Sequence, residues 1–282
     1  MSEIPDFPNL FRLDGKVALI TGGSRGLGYY TAESFLLAGA KKVIIAARKP
    51  DGPQGFNQAV NKLNALPNIP GRAVGYAADL SQLSEISKLV KHLQQTEAGK
   101  LDILIANAGT TWGGPFEPTP DNAVLKVLDL NVRSVFNLTK LLTPLLSSSG
   151  TPISPSRIII VGAIAGLSIP LTGTHGTIIY GASKAAAHHL ARNLAIELGP
   201  RNICTNAIAP GFFPSKLASG LISHLGGEEV MAASNPRRRL GEAKDIGGVM
   251  VWLCSGAGTY VNGAVVPVDG GNYLRAGEFS RL

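Results

Sequence analysis

The chain has 282 residues, of which 45% are apolar and 16% charged, so it can bury a sizeable core and lacks the composition typical of disorder. Its formal net charge of +7 comes from scattered basic residues with one run, Arg237-Arg238-Arg239. This scatter argues against a nucleic-acid interface and leaves a polyanionic cofactor, an acidic carrier protein or solvated surface. No apolar run approaches the ~20 residues of a membrane span, so no membrane partner is expected.

Short apolar runs rich in β-branched residues alternate with segments of helical spacing, without a linker or an internal repeat. The predicted strands are 17–20, 43–47, 73–76, 101–106, 158–161, 204–208 and 264–268, and the predicted helices include 58–66, 81–93, 121–146, 180–198 and 242–255. Several strands lack polar alternation, as parallel strands covered on both faces do. The pattern predicts an α/β fold: one doubly wound, Rossmann-type domain at 13–282, with a seven-stranded parallel sheet and helices on both faces, after an extension at 1–12.

A glycine-rich turn, Thr21-Gly22-Gly23-Ser24-Arg25-Gly26-Leu27-Gly28, joins the first predicted strand to a helix. Glycines in this setting let a backbone approach a pyrophosphate closely, and the start of a helix favours phosphates through its unpaired N–H groups and its dipole. The simpler alternative is a helix entry that needs positive φ.

The end of the second predicted strand bears on which dinucleotide would bind. It reads Ala46-Ala47-Arg48-Lys49 and offers no carboxylate for a ribose 2′-hydroxyl, since Asp51 lies beyond a proline. Arg48, with Arg25 from the glycine turn, suits a 2′-phosphate instead. This favours NADP(H) over NAD(H).

A second motif, Tyr180-Gly181-Ala182-Ser183-Lys184, opens the helix predicted at 180–198. Residues i and i+4 share a helix face, so the phenol and the ammonium project together. A neighbouring cation lowers the pKa of a phenol, which is ordinarily near ~10. The spacing predicts that Tyr180 protonates a carbonyl oxygen as hydride arrives, while Lys184 lowers its pKa and holds the ribose hydroxyls.

These motifs, in this order, resemble the short-chain dehydrogenase/reductase family over residues 13–271. Asn107-Ala108-Gly109, the run 206–211 and Val268-Asp269-Gly270-Gly271 strengthen the resemblance. Phe213-Pro214-Ser215-Lys216 is similar to the branch of rhamnolipid-pathway 3-oxoacyl carrier-protein reductases and related fungal reductases. The resemblance implies reduction of a ketone on a hydrophobic, polyketide-like or 3-oxoacyl substrate, small or carried as an acyl thioester.

The resemblance also implies roles for individual residues. Asn131 would hold a water that links the catalytic lysine to solvent, completing a set with Tyr180 and Lys184. Phe212 and the residue at 163 would contact substrate, beneath a mobile lid at about 212–236. The implied cofactor contacts are Gly22, Ser24, Arg25, Leu27, Gly28, Arg48, Asp79, Leu80, Asn107, Ala108, Gly109, Tyr180, Lys184, Pro210, Gly211, Phe213 and Ser215. The helices at 121–146 and 180–198 would pair across two-fold axes and the segment 270–282, most of which lies outside the residues that the structure describes, across another, in a homotetramer or otherwise a dimer.

Histidine and cysteine suggest no further chemistry. No third ligand stands at metal spacing from His188-His189 or His224, which we interpret as helix surface. Cys204 and Cys254 lack C-x-x-C spacing, which predicts free thiols in a reducing, cytoplasmic compartment. The acidic residues and prolines at the start of the chain are unlike a signal peptide.

The sequence departs from the family at Ala163, where the family has a serine whose hydroxyl contacts the substrate oxygen. The alanine is either an engineered change or a natural one with an adapted mechanism. If nothing replaces the hydroxyl, turnover should fall by ~10²–10³. If a loop group replaces it, the candidates are Ser168, Thr172, Thr174, His175 and Thr177, with Thr174 and His175 first. The alternative function is an NADP-binding family member with weakened or lost redox activity that binds or shapes its substrate for a non-redox reaction.

Overall fold

A parallel sheet organises the computed structural model, which describes residues 6–52, 55–169 and 171–275. Seven strands follow the order β3-β2-β1-β4-β5-β6-β7, and every neighbouring pair is parallel. They are β1 (Val17–Thr21), β2 (Lys42–Ala47), β3 (Arg72–Ala77), β4 (Ile103–Ala106), β5 (Ser156–Val161), β6 (Ile203–Pro210) and β7 (Val265–Val268). The predicted doubly wound fold is confirmed. The strand order reverses between β1 and β4, and ligands of such sheets bind in the crevice beyond the carboxyl ends of the strands there.

Helices cover both faces of the sheet. They are α1 (Gly26–Leu37), α2 (Phe56–Asn64), α3 (Leu83–Thr96), α4 (Asp121–Leu128), α5 (Ser134–Ser149), α6 (Ile178–Leu198), α7 (Lys216–His224), α8 (Gly227–Ser234) and α9 (Ala243–Cys254). Leu19 faces a core built with α3, α5 and α6, whereas Ile20 faces a second core built with α1, α2 and α9. This alternation is what a strand buried on both faces requires, because successive side chains point to opposite sides. No helix in the described ranges is long and apolar enough to cross a membrane.

Three boundaries differ from the sequence-based expectation for identifiable reasons. β4 begins at Ile103 and not at residue 101, because the N–H of Leu101 donates to the carbonyl of Leu145 on α5. The predicted helix at 121–146 contains a π-helical turn, Asp129–Arg133, between α4 and α5. The helix predicted to begin at residue 81 begins at Leu83, and Asp79, an expected cofactor contact just before it, accepts hydrogen bonds from the N–H and Oγ of Ser81.

Candidate active site

The carboxyl ends of the central strands open into a cleft of about 620 Å³. Every residue expected at the site lines this cleft except Gly28 and Asn131. The lining also includes Thr110, His175 and Thr177, which come from the loops after β4 and before α6. The structure therefore brings residues from most of the chain's length to one edge of the sheet, while their individual roles stay predictions.

The glycine turn packs closely against the loop after β4. Asn107 Nδ2 donates to the carbonyl oxygens of Thr21 and Gly22, at 2.8 and 3.1 Å. A Cβ on Gly28 would lie 2.6 Å from both Asn107 Nδ2 and the Gly22 oxygen, so only glycine fits there. Gly22 and Gly26 have φ values of 65° and 54°, the left-handed region that favours glycine. The first N–H groups of α1 have no acceptor within the helix and lie beside this open turn, an arrangement that fits a pyrophosphate.

The two arginines come from the segments that follow the adjacent strands β1 and β2. Arg25 and Arg48 are both exposed and line the cleft, whereas Asp51 lies outside the lining and accepts a hydrogen bond from Asn57. Among the residues that the structure describes, Asp79 is the one carboxylate in the lining. The end of β2 therefore lacks a carboxylate acceptor for a ribose hydroxyl and fits a phosphate better.

Tyr180 and Lys184 lie one turn apart on α6, with Lys184 Nζ 5.7 Å from the centre of the phenol ring. Lys184 Nζ donates to the carbonyl oxygen of Val161 at 2.8 Å. Burial lowers the pKa of Lys184 to about 8 and raises the pKa of Tyr180 to about 12. The sequence-based expectation of a lowered phenol pKa is therefore wrong for this state of the protein, because burial disfavours the charged phenolate. A protonated phenol at neutral pH is the form that donates a proton to a carbonyl oxygen.

Asn131 joins three parts of the site from the π-helical turn. Its Oδ1 accepts from the Thr110 N–H at 2.9 Å, and its Nδ2 donates to the Thr110 carbonyl at 2.9 Å and to Ser183 Oγ at 3.0 Å. Ser183 Oγ in turn donates to the Tyr180 carbonyl at 2.7 Å. A Cβ on Gly109 would lie 3.2 Å from Asn131 Oδ1 and 3.5 Å from Lys184 Nζ, so both groups lie beside this glycine.

Sequence reasoning missed Ser183. Its position inside the motif, between the tyrosine and the lysine, was the available signal, but a hydroxyl in a helix does not by itself reveal a buried partner. The structure buries it completely and uses it to connect Asn131 to the first turn of α6.

The expectation that His188 lies on the helix surface is wrong. Its side chain is 2% exposed and lies against Gly162 and Gly166, where added Cβ atoms would collide with the ring. Burial and the nearby Lys184 lower the pKa of His188 to about 4, so the ring is neutral. His224 is exposed but lines the cleft, and its ring stacks on that of His175 with 4.7 Å between centroids.

At the substrate end of the cleft, an alanine stands where the family is expected to have a serine. Ala163, 8% exposed, follows β5 and lines the cleft without a polar atom on its side chain. Among the five polar groups proposed as substitutes, His175 and Thr177 line the cleft. Ser168 and Thr172 line a second cavity, which Thr177 also borders. Thr174, a first candidate from the sequence, is absent from the linings of both.

The predicted lid at 212–236 contains α7 and α8. Phe213 is buried against Gly241, and Ile222 is buried as well, so part of the apolar lid packs onto the domain. Leu221 lines the cleft. Within the described ranges, no three histidine, cysteine or acidic side chains form a group that could hold a metal ion.

Comparisons with known proteins extend over nearly all of the chain. The family model described as enoyl-(acyl carrier protein) reductase matches residues 22–272. The chain is 39% identical over 264 residues to the rhamnolipids biosynthesis 3-oxoacyl-[acyl-carrier-protein] reductase of Pseudomonas aeruginosa, covering 94% of this chain and 98% of that protein. It is 34% identical to the 7alpha-hydroxysteroid dehydrogenase of Escherichia coli, covering 92% and 95%.

A fungal relative and a solved structure agree with these matches. The short-chain dehydrogenase/reductase PhomF of Diaporthe leptostromiformis is 29% identical, with 93% of each chain covered. The Pseudomonas aeruginosa RhlG/NADP active-site complex superposes with a TM-score of 0.84 at 39% identity, covering 94% of this chain and 99% of that chain. Together, the match of the family model and the identities above 30% show that this chain belongs to the short-chain dehydrogenase/reductase family of oxidoreductases.

Proposed function

We propose that this protein is an NADPH-dependent reductase of a ketone on a hydrophobic, polyketide-like or 3-oxoacyl substrate. The observation that carries the proposal is the Tyr180 phenol, with Lys184 Nζ 5.7 Å from the centre of its ring, in a cleft that Arg25 and Arg48 also line. The Pseudomonas relative, a 3-oxoacyl-[acyl-carrier-protein] reductase, and the NADP complex of its solved counterpart support the same reaction.

We propose a proton path that runs from solvent through Tyr180 to the carbonyl oxygen of the substrate. When bound, NADPH supplies the hydride that adds to the carbonyl carbon. Tyr180 donates its phenolic proton to the carbonyl oxygen, so the ketone becomes an alcohol. Lys184, held by the Val161 carbonyl, retains further N–H donors for the ribose hydroxyls. We assign to Asn131 the water through which a proton returns from solvent to Tyr180, because Asn131 lies beside Lys184 across Gly109.

The cofactor would occupy the end formed by the strand exits. Its pyrophosphate would lie on the glycine turn and the start of α1, and its 2′-phosphate between Arg25 and Arg48. Leu80, Ala108, Pro210, Gly211, Phe213 and Ser215 would line the adenine and nicotinamide portions.

Exposed apolar side chains and buried thiols support the proposed assembly and compartment. Leu125, Phe136 and Ile196 are large apolar side chains on α4, α5 and α6 that are 48–81% exposed, which supports a homotetramer built on these helices. Cys204 and Cys254 are buried free thiols, which supports a reducing, cytoplasmic setting.

The side chains of two of the three arginines at 237–239 form hydrogen bonds with nearby residues of the chain. Arg239 forms two hydrogen bonds with Asp245, and Arg238 donates to the Ala233 carbonyl. If an acidic carrier protein or a thioester binds here, Arg237 would therefore be its main contact in this run. A solvated turn remains the simpler interpretation of this run.

A spectrophotometric assay of NADPH oxidation against a panel of ketones, from 3-oxoacyl thioesters to small uncharged ketones, tests the proposal. We expect turnover with the apolar substrates and loss of turnover in Tyr180→Phe. The alternative, a non-redox role, is motivated by Ala163. It gains support if NADPH binds tightly while neither this chain nor Ala163→Ser oxidises it with any ketone.

A further inference from the structure

We infer that Thr177 supplies the hydroxyl that Ala163 lacks, donating a hydrogen bond to the substrate oxygen that Tyr180 protonates. This inference rests on the proposed ketone reduction and adds a substrate-contacting residue to it. Three observations carry it: where Thr177 lies relative to Tyr180, how firmly its backbone is held, and what its hydroxyl does not bond.

Thr177 is the residue that immediately precedes α6, and Tyr180 is the third residue of that helix. These two helix positions are close neighbours, since side chains at the N-cap commonly reach the backbone at the third position. Both residues line the same cleft, as does Ala163. A hydroxyl at this position can therefore approach the same substrate oxygen as the phenol.

Backbone contacts fix the position of Thr177. Its carbonyl accepts from the Gly181 N–H at 2.8 Å, and the preceding carbonyl of Gly176 accepts from the Gly114 N–H at 3.0 Å. Its methyl group is the nearest atom to a Cβ built on Gly113, at 3.5 Å. The start of α6 is thus tied to the loop after β4, which gives the rigid placement that a transition-state donor requires.

The hydroxyl itself lacks a partner. Thr177 is 8% exposed, yet it makes no capping hydrogen bond to α6, and within residues 6–52, 55–169 and 171–275 no hydrogen bond of its Oγ1 is found. Its Oγ1 is not among the fully buried unpartnered side-chain atoms of the described residues, so the hydroxyl is accessible although most of the residue is buried. A substrate oxygen in the cleft can therefore accept its hydrogen bond.

The rival candidate, His175, is placed differently. It is exposed, and its ring stacks on His224 of α7, which connects it to the lid. Its position between the loop and the lid suits closure of the cleft more than contact with the reacting oxygen.

Four variants test the inference with the full-length protein: Thr177→Val, Thr177→Ala, Thr177→Ser, and Thr177→Val combined with Ala163→Ser. The readouts are kcat, KM for the best ketone, the Kd of NADPH from its fluorescence, and the melting temperature. Thr174→Val is the matched control, an exposed threonine outside the cleft lining.

We expect Thr177→Val and Thr177→Ala to lower kcat by ~10²–10³, the usual effect of losing one such donor, with the Kd of NADPH and the melting temperature close to those of the parent. Thr177→Ser should retain most of kcat, and Ala163→Ser should rescue Thr177→Val. A merely structural threonine would not be rescued by a hydroxyl from β5.

Three results would overturn the inference. The first is parental kcat in both Thr177→Val and Thr177→Ala, and the second is a loss that Ala163→Ser does not rescue. The third is an inactive parent that Ala163→Ser activates, in which case the reductase proposal stands and no hydroxyl has replaced the serine. If neither the parent nor Ala163→Ser oxidises NADPH with any ketone, the proposed function fails and the inference fails with it.

Discussion

The two ends of the cleft are built in different ways. At the cofactor end, strand exits and backbone contacts leave little freedom: Asn107 ties the glycine turn to the loop after β4, and Gly28 has no room for a Cβ. At the substrate end, loops and the lid provide the walls, and the groups facing the cleft include an alanine, an exposed histidine pair and an unpartnered threonine. The comparison indicates that cofactor binding is constrained by packing, whereas substrate recognition depends on a few side chains on adjustable segments.

The largest effect should come from the phenol at the border of the two ends. Tyr180→Phe removes the general acid, and we expect kcat to fall by ~10²–10⁴. The Kd of NADPH should change much less than kcat, because Tyr180 is one of many expected cofactor contacts and those to the phosphates and from Lys184 remain. Steady-state kinetics and fluorescence titration measure the two quantities. Equal losses in turnover and cofactor affinity would contradict this division of the cleft.

The second largest effect should come from reversing the charge of an arginine at the cofactor end of the cleft. A charge-assisted hydrogen bond contributes ~1.5–3 kcal/mol, so Arg48→Asp should erase or reverse a preference for NADPH over NADH. Arg201→Asp, an exposed arginine outside the cleft lining, is the control for net charge. Equal Kd values for NADPH and NADH in the parent would refute the assignment of the 2′-phosphate.

Between the two ends, Ser183 connects Asn131 to the Tyr180 carbonyl. Ser183→Ala leaves the buried Asn131 amide one acceptor short, which should cost ~1–3 kcal/mol in unfolding free energy and lower kcat moderately. Ser87→Ala on α3 is a matched control, an exposed serine that also donates to a backbone carbonyl. Urea unfolding of the two variants compares them directly. A cost as small as that of the control would mean that water replaces the lost hydroxyl.

The buried lysine should also leave a signature in stability. Burial lowers the pKa of Lys184 from 10.5 to about 8, so between these values the unfolded chain binds more protons than the folded one. The unfolding free energy of the cofactor-free protein should therefore rise with pH across that window. Lys184→Met should lack this component of the rise, whereas the raised pKa of Tyr180 lowers stability only above its ordinary value near ~10. Identical pH profiles for parent and variant would contradict the desolvated lysine.

The smallest expected effect on turnover concerns assembly, since the exposed apolar side chains of α4, α5 and α6 lie outside the lining of the cleft. Light scattering at micromolar concentration should give a tetramer, with a dimer as the fallback. Ile196→Asp, on a side chain that is 81% exposed, should shift the mass downward while leaving NADPH binding largely intact. A monomeric parent would refute the assembly.

What the sequence predicts well is whatever depends on local pattern. The strands follow from uninterrupted apolar runs, and the glycine turn and the tyrosine–lysine spacing identify the family and the edge of the sheet where the site lies. The burial of His188 was missed because α6 is rich in alanine on several sides, so helical spacing does not distinguish its buried face. The π-helical turn around Asn131 was not predicted for a related reason. One extra residue in a long helical segment does not change its composition.

The raised pKa of Tyr180 depends on information that spacing does not contain. The i, i+4 relation brings the lysine near the phenol, but the direction in which Nζ donates is decided by the Val161 carbonyl on β5. The degree of desolvation is likewise set by the packing of β5, α6 and the loops together. Tertiary contacts therefore determined the electrostatics that the motif alone left open.

The buried imidazole of His188 has a consequence for anyone who redesigns this enzyme. Its ring fills the space beside Gly162 and Gly166, so the segment that carries Ala163 and the middle of α6 behave as one interlocking unit. A loop transplanted from a relative, with a larger residue at either glycine, would collide with this ring, and at Gly166 a Cβ would also lie 2.6–2.7 Å from backbone atoms of Lys184 and Ala185. Segment exchange at this position should therefore carry the matching part of α6.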